Sequence, residues 1–167
     1  SQGISRPFDV SRDGFVMGEG AGALVLEDYD HAVARGARIL AEVSGAASTA
    51  DAHHLTAPDP EANGAIACIR AALFDAQIEA NAIDHVNAHG TSTPLNDAAE
   101  AKALQAVFGD RRLPVTSVKG YTGHALAAAG AIEAVVGVLS LQHQMVPPTI
   151  GTENVDPTIS ADVVTGS

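Results

Sequence analysis

The chain has 167 residues, a net charge of −11 and one cysteine. This length supports one domain with a buried core, and the negative charge argues against nucleic acid and anionic membrane surfaces as partners. A single cysteine excludes an intrachain disulfide and favours a reducing cytoplasm, while an aromatic content of only 4% predicts a core of small aliphatic side chains.

The first predicted elements follow a glycine-rich segment, Gly18-Glu-Gly-Ala-Gly22. The apolar run 23–27 that follows it predicts a buried strand, residues 29–38 predict a helix, and residues 39–44 predict a second strand. A dinucleotide-binding motif has the spacing GxGxxG and lies between a strand and a helix. The spacing here is GxGxG and it precedes a strand, so it predicts a tight turn with close backbone approach.

Two helix starts are marked by a capping residue followed by proline. Asp59 with Pro60 predicts one helix, and Thr93 with Pro94 predicts another, because the first residue of each pair suits the N-cap and proline suits the first helical position. The second helix is predicted to end at Gly109.

Three side chains of reactive or metal-binding type lie in and before the first of these helices. Cys68 has only Arg70 as a basic neighbour and no helix N-terminus to lower its pKa, so it is interpreted as a small buried hydrophobe and not as a nucleophile. The adjacent pair His53 and His54 has no third ligand at useful spacing. No metal site is therefore predicted there.

Histidines follow two predicted strands at their carboxyl ends. Residues 83–89 predict a strand that ends at His89, and residues 114–118 predict a strand followed by Lys119 and His124. Open α/β sheets bind ligands at the carboxyl ends of their strands. The alternation of strands and helices predicts an α/β fold, and the two histidines with a lysine indicate a catalytic site.

An apolar run spans residues 125–141, and its one charged residue is Glu133. Apolar residues on every face predict a helix buried in a protein core, and the run falls short of a membrane span. The buried carboxylate needs a partner, for which Lys119 is the local candidate. Thr122 is predicted as the N-cap, which places His124 in the first turn, where the helix dipole favours a neutral imidazole.

The segments NAHGTSTPLND (87–97) and VKGYTGHALAAAG (118–130), with RDGFV and GEGAG upstream, resemble the β-ketoacyl-acyl carrier protein synthases. The resemblance is closest to the elongating type II form with two histidines. It implies an α/β thiolase-like half-fold with a mixed sheet packed between helices, in which residues 1–167 form the carboxyl-terminal half.

The same resemblance implies decarboxylative Claisen condensation of a malonyl thioester with an acyl thioester. His89 and His124 correspond to the histidines that donate hydrogen bonds to the thioester oxygen of the malonyl group. Lys119 corresponds to the active-site lysine of the family, and Glu133 corresponds to the supporting buried acid.

Further positions carried over by motif concern substrate and ions. Thr91 and Thr93 match residues that bind the pantetheine arm, and Asn87 and Glu133 match positions that border a monovalent cation in some relatives. No cofactor and no firm metal site are implied. The implied partner is an acyl carrier protein with a malonyl or acyl pantetheine arm.

The chain departs from the family pattern in two places. The nucleophilic cysteine of the amino-terminal half has no counterpart, since Cys68 does not lie in its motif, and the terminal glycine-rich segment is missing where the sequence ends at Thr165-Gly-Ser167. We therefore expect a cytoplasmic fragment that is inactive alone. Its missing partner is the amino-terminal half of the enzyme, and we expect the exposed apolar surface to cause self-association.

Two other interpretations remain open from sequence. A non-catalytic partner of the chain-length-factor type is less favoured because His89, Lys119 and His124 are all kept. A binding module without catalysis is the third interpretation. Initiating synthases with a His–Asn pair are disfavoured by His124, and thiolases are disfavoured by the HGTST pattern. Fatty-acid and polyketide pathways are not separated by sequence.

Overall fold

The computed structural model describes residues 3–166. Helices come first along this range, and strands alternate with helices from residue 86 onward. The helices are α1 (Tyr29–Ala34), α2 (Asn63–Ala76), α3 (Pro94–Phe108), α4 (Lys119–Thr122) and α5 (Ala129–His143), with single 3-10 turns at Ala80–Ala82 and Leu126–Ala128. The strands are β1 (Val86–Asn87), β2 (Pro114–Thr116) and β3 (Asp162–Val163). The α/β class predicted from the sequence is confirmed.

The three strands form one small sheet in the order β1-β2-β3. Val86 pairs with Val115, and Val115 pairs with Val163, both in parallel. Helical segments return the chain between successive strands, as a parallel sheet requires. A mixed sheet was expected, but the strands within residues 3–166 are all parallel, and antiparallel pairing there is limited to an isolated bridge between Asp9 and Val155.

Helix α3 contributes to both buried hydrophobic clusters of the described chain. Its residues Ala101 and Leu104 pack with Phe8 and Val115 in one buried cluster. The carboxylate of Asp97, also on α3, accepts hydrogen bonds from the main-chain N–H of Phe8 at 2.8 Å and of Ser92 at 3.2 Å. These contacts attach the amino-terminal segment to the helix that precedes β2.

The two predicted helix starts have different outcomes. Helix α3 begins as predicted, with the Thr93 hydroxyl accepting from Asn96 N–H at 3.3 Å, and it ends at Gly109. Helix α2 begins at Asn63, so the prediction of Asp59 as its N-cap is wrong. The Asp59 carboxylate instead accepts from the N–H groups of Glu61 and Asn63. It stabilises a separate turn because Ala62, at φ +56°, interrupts the helical backbone.

The predicted strands 23–27 and 39–44 are not strands in this structure. Both segments lack strand pairing within residues 3–166, and Val25 and Val43 are 94% and 77% exposed. A strand forms only where another backbone accepts its hydrogen bonds, and the described chain supplies none to these segments. Val25 and Val43 are therefore largely exposed instead of lying in a sheet.

Helix α5 also differs from its prediction as a core helix. Ala129 is its one buried residue, and Leu139 and Leu141 are exposed. The stretch Leu126–His143 has a mean hydropathy of 1.4, and by length and composition alone it could cross a membrane. The prediction that this run is too short for a membrane span was therefore wrong. Core helices of soluble proteins meet the same criterion. Self-association through this apolar surface stays a prediction.

Candidate active site

The ammonium group of Lys119 is the centre of the site. Its side chain is 1% exposed. The Nζ atom donates to the His89 main-chain oxygen at 2.5 Å, lies 3.2 Å from Nδ1 of the same residue, and is paired with Oε1 of Glu133. An ammonium has three protons to donate, and three acceptors surround this one. The predicted ion pair between Lys119 and Glu133 is confirmed.

The rings of His89 and His124 lie side by side, with centroids 5.3 Å apart and planes at 85°. Nδ1 of His89 accepts from Lys119, since an ammonium offers only protons. Nδ1 of His124 accepts from the N–H of Leu126 at 3.1 Å. A neutral imidazole carries one proton, so in both rings that proton is on Nε2.

Both imidazoles are held in the neutral form. Burial lowers the pKa of His89 to about 4, and the charge of Lys119 and the nearby His124 add to this effect. Burial and then Lys119 also lower the pKa of His124, against the opposing charge of Glu133. The site therefore offers two neutral N–H donors beside one buried cation.

The predicted placement of His124 in the first turn of the long helix, with Thr122 as N-cap, was wrong. Thr122 is the last residue of α4, where its hydroxyl donates to the main-chain oxygen of Gly123 at 2.9 Å and lies 3.3 Å from that of Val118. Helix α5 begins only at Ala129, so His124 does not lie in its first turn. Gly123, at φ +64°, ends the short helix and turns the chain before α5 can begin.

The glycine-rich segment positions the main chain of His124. His124 N–H donates to Val16 oxygen at 2.8 Å, and Gly18 N–H donates to His124 oxygen at 3.1 Å. A Cβ atom on Gly18 would lie 2.0 Å from the oxygen of Thr122. The prediction of close backbone approach is confirmed, and the ring of Phe15, with its centroid 4.8 Å from that of His124, packs against the same histidine.

We expect Gly18→Ala to destabilise the fold by about 1–3 kcal/mol, because the added methyl group forces two backbone segments apart. Gly130→Ala is the matched control, since a Cβ atom there meets nothing within 4 Å, and alanine is preferred over glycine within a helix. Chemical denaturation of both variants measures the difference. Equal stability of the two variants would contradict this account of Gly18.

Glu100 belongs to the site and was not identified from the sequence. Its carboxylate accepts from the main-chain N–H of His89 and from that of Gly90, each at 2.7 Å. Burial raises the pKa of this carboxyl group, and the two N–H groups oppose the rise. The available sequence signal was its place on α3 two helical turns after Thr93, on the face that returns to the His89 loop.

The remaining predicted site residues lie around this centre. The hydroxyl oxygens of Thr91 and Thr93 are 2.9 Å apart in the loop between β1 and α3. Nδ2 of Asn87 donates to the main-chain oxygen of Glu133 at 3.0 Å, while Oδ1 of Asn87 is buried without a hydrogen-bond partner in the described chain. The structure thus links Asn87 to Glu133 and Glu133 to Lys119. His89 contacts both Lys119 and His124, while Thr91 and Thr93 lie in the loop that follows His89.

Cys68 and His54, which were considered as a nucleophile and a metal ligand, both contact main-chain groups. Sγ of Cys68 lies 3.4 Å from the oxygen of Ala47, and the residue is half-buried where full burial was predicted. Nδ1 of His54 accepts from the N–H groups of Thr56 and Ala57. Residues 3–166 contain no group of three or more His, Cys, Asp or Glu side chains that could hold a metal ion.

Comparison with protein families gives two matches. Residues 40–153 match the family described as "Beta-ketoacyl synthase, C-terminal domain", and residues 1–32 match "Beta-ketoacyl synthase, N-terminal domain". Among curated proteins, the chain is similar to 3-oxoacyl-[acyl-carrier-protein] synthase 2 of Vibrio cholerae, with 48% identity over 98% of this chain and 40% of that protein. The mitochondrial 3-oxoacyl-[acyl-carrier-protein] synthase of Arabidopsis thaliana is also 48% identical, over 93% of this chain and 35% of its own length.

Solved structures give the same result. The ishigamide ketosynthase/chain length factor superposes with a TM-score of 0.95 and 44% identity, over 99% of this chain and 41% of that one. A type II polyketide ketosynthase, solved in complex with its acyl-carrier protein and bound to the hexaketide, has a TM-score of 0.95 and 43% identity over the same shares. The present chain spans about 40% of the length of the first curated relatives it matches.

Proposed function

The chain belongs to the β-ketoacyl synthase family, and from this membership we propose that it carries the malonyl-activating part of a cytoplasmic 3-oxoacyl-[acyl-carrier-protein] synthase. One observation carries the proposal. Two neutral imidazoles stand together with both Nδ1 atoms occupied as acceptors, which leaves both Nε2–H groups to bind an oxygen of a substrate.

The proposed chemistry begins with a malonyl thioester. Its bond to the carboxylate carbon breaks, carbon dioxide leaves, and the electron pair remains as an enolate whose negative charge develops on the thioester oxygen. His89 and His124 donate their Nε2–H groups to that oxygen. Donors placed at a developing oxyanion typically contribute about 10²–10³ in rate each. The enolate carbon then attacks an acyl thioester and releases a thiolate.

The thiol that carries the acyl group is proposed to come from a separate part of the parent enzyme. Cys68 lies within α2, and its thiol contacts the Ala47 carbonyl oxygen instead of a histidine. A nucleophilic thiol needs a group that lowers its pKa. We therefore expect this chain to bind the malonyl thioester but not to complete a condensation without an amino-terminal half that supplies the thiol.

Lys119 and Glu133 have supporting roles in this proposal. Lys119 holds the proton of His89 on Nε2 by donating to Nδ1, and Glu133 balances the buried charge of the ammonium. Thr91 and Thr93 present adjacent hydroxyl groups that suit the amide groups of a pantetheine arm. The partner that delivers this arm is proposed to be an acyl carrier protein, as in the solved relative that is bound to one.

A monovalent cation is proposed beside Asn87. The amide oxygen Oδ1 is buried without a hydrogen-bond partner within residues 3–166, and the main-chain oxygen of Glu133 adjoins the same amide. Neutral oxygens of this kind suit a hard cation. Such an ion would hold Asn87 and the start of α5 together, and the chemistry would still depend on the two histidines.

Imidazole ¹⁵N NMR with malonyl-pantetheine tests the function. Binding should shift the Nε2 signals of both His89 and His124, and His124→Ala should weaken binding about three- to tenfold, the loss of one hydrogen bond worth about 0.5–1.5 kcal/mol. His143→Ala, at the exposed end of α5, is the matched control. If neither Nε2 signal moves at saturating ligand, the proposal fails in favour of a non-catalytic partner of the chain-length-factor type.

A further inference from the structure

Ser92 has a backbone conformation that serine rarely adopts. Its φ is +67°, in the left-handed region that favours glycine, and the residue is fully buried. A residue other than glycine stays in this region only where surrounding contacts hold it, and such residues cluster at active sites and ligand-binding sites. Ser92 lies between Thr91 and Thr93. The strained position is therefore directly beside the two threonines of the proposed substrate site.

The two polar groups of the Ser92 main chain and its hydroxyl oxygen are all held by other segments. The main-chain oxygen accepts from Gly14 N–H at 2.8 Å, and Oγ accepts from Arg6 N–H at 2.8 Å. The N–H of Ser92 donates to Oδ1 of Asp97 at 3.2 Å. Two of these three contacts come from the amino-terminal segment, so tertiary structure and not local sequence holds the left-handed conformation.

The bend at Ser92 brings two hydroxyl groups into contact. In an extended chain, residues two apart in sequence are separated by about 6.6 Å. The Oγ1 atoms of Thr91 and Thr93 are only 2.9 Å apart. Thr93 is fixed independently, because its hydroxyl accepts from Asn96 N–H at 3.3 Å as the N-cap of α3. The bend is therefore what carries the Thr91 hydroxyl to that of Thr93.

We propose that Ser92 is a positioning residue that joins the hydroxyl groups of Thr91 and Thr93 into one polar site. The amino-terminal segment holds Ser92 in its left-handed conformation, and the bend holds the two hydroxyls together. The pair has two hydroxyl protons, one of which lies between the two oxygens. It therefore offers a ligand one donor together with free acceptor capacity, which suits an amide group. That the amide belongs to a pantetheine arm rests on the proposed function, but the geometry of the pair does not.

Two substitutions that both remove the Ser92 hydroxyl test this role. Ser92→Ala keeps the steric cost of a positive φ but loses the contact with Arg6 N–H, so we expect the backbone to leave the left-handed region. Ser92→Gly loses the same contact, but glycine adopts positive φ without that cost, so we expect the bend to stay. Three-bond NMR couplings from the backbone to the methyl carbon measure the χ1 rotamer of each threonine. Thr91 should keep a single rotamer in wild type and Ser92→Gly, and should average over several rotamers in Ser92→Ala.

Thr93 and Thr152 are internal controls for these couplings. Thr93 also caps α3, and the hydroxyl of Thr152 donates to the main-chain oxygen of Pro7 at 2.5 Å. Both threonines should therefore keep one rotamer in each variant. Averaging that extends to Thr152 would make Ser92 a general structural residue and would overturn the positioning role.

The comparison of the two variants decides between the backbone and the hydroxyl of Ser92. Averaging of Thr91 in both variants would show that the hydroxyl holds the pair, and a single rotamer in both would show that the residue is not needed. Either result overturns the proposal. If Ser92→Ala does not fold, Ser92→Gly decides alone, because a fixed Thr91 rotamer without the hydroxyl supports the role of the backbone and averaging refutes it.

Binding of malonyl-pantetheine keeps this test distinct from the test of the proposed function. Ser92→Ala should weaken binding about three- to tenfold, the loss of one hydrogen bond, and Ser92→Gly should bind about as tightly as wild type. If the wild-type protein shows no ligand response while the Thr91 rotamer changes as expected, the proposed function fails and the positioning role stands. If the ligand shifts both histidines in wild type while Thr91 averages in both variants, the positioning role fails and the function stands.

Discussion

Replacing Lys119 by methionine is expected to destabilise the fold by about 3–5 kcal/mol, the usual cost of removing one partner from a buried ion pair. The substitution leaves the Glu133 carboxylate without its cation. It also leaves the main-chain oxygen and Nδ1 of His89 without a donor. Urea denaturation followed by circular dichroism measures the loss, and the imidazole ¹⁵N spectrum reports whether the proton of His89 remains on Nε2.

A double variant separates the cost of an unpaired charge from the value of the pair. In Lys119→Met with Glu133→Leu, both charges are absent, and apolar replacement of a buried pair is often close to neutral. We therefore expect the double variant to be more stable than Lys119→Met alone. If both variants lose the same stability, the packing of the lysine stem dominates, and the electrostatic account of this site is wrong.

The imidazole of His89 is expected to titrate with a midpoint of about 4 in the folded chain, against about 6.5 in an unfolded one. Between these values the unfolded chain binds a proton that the folded chain does not bind, so stability falls as pH falls from about 6.5 to 4. Above 6.5 neither state is protonated, and this contribution is fully retained. NMR titration of the His89 ring measures the folded midpoint directly.

His89→Gln isolates this contribution from the other titrating groups. The difference in pH dependence of unfolding between wild type and variant over the window from 6.5 to 4 reports His89 together with its coupling to His124, since the remaining groups are shared. We expect the wild type to lose more stability across this window than the variant does. A folded midpoint at 6 or above would contradict the burial and the Lys119 contact as causes of the neutral ring.

Much of the site was readable from the sequence because local rules determine it. Thr93 with Pro94 set the start of α3, and the placement of His89 and His124 after strands at one sheet edge followed from the parallel order of α/β elements. The pairing of Glu133 with Lys119 followed from the cost of an unpaired buried carboxylate. The paired-histidine motifs also supported the resemblance to the family to which the chain belongs.

Burial and exact element starts were not readable, because they depend on contacts between distant segments. The run 23–27 is apolar, but residues 3–166 supply it with no pairing strand. Helix α5 is mostly apolar, and yet only Ala129 is buried in it. Thr122 suited an N-cap by residue type, but Gly123 ended the preceding turn. Glu100 was missed because its partners are backbone N–H groups, and its place on α3 relative to Thr93 was the one signal for it in the sequence.

The hydrogen bonds between the glycine-rich segment and His124 bear on whether the two family-matched parts of the chain are separate structural units. The family matches divide the chain between residues 32 and 40, but residues before this division contact residues after it. Val16 and Gly18 hold the main chain of His124, and Phe8 completes the core around α3. The boundary between sequence families is therefore not a boundary between independent structural units. A transplantable form of this site would have to begin well before residue 40.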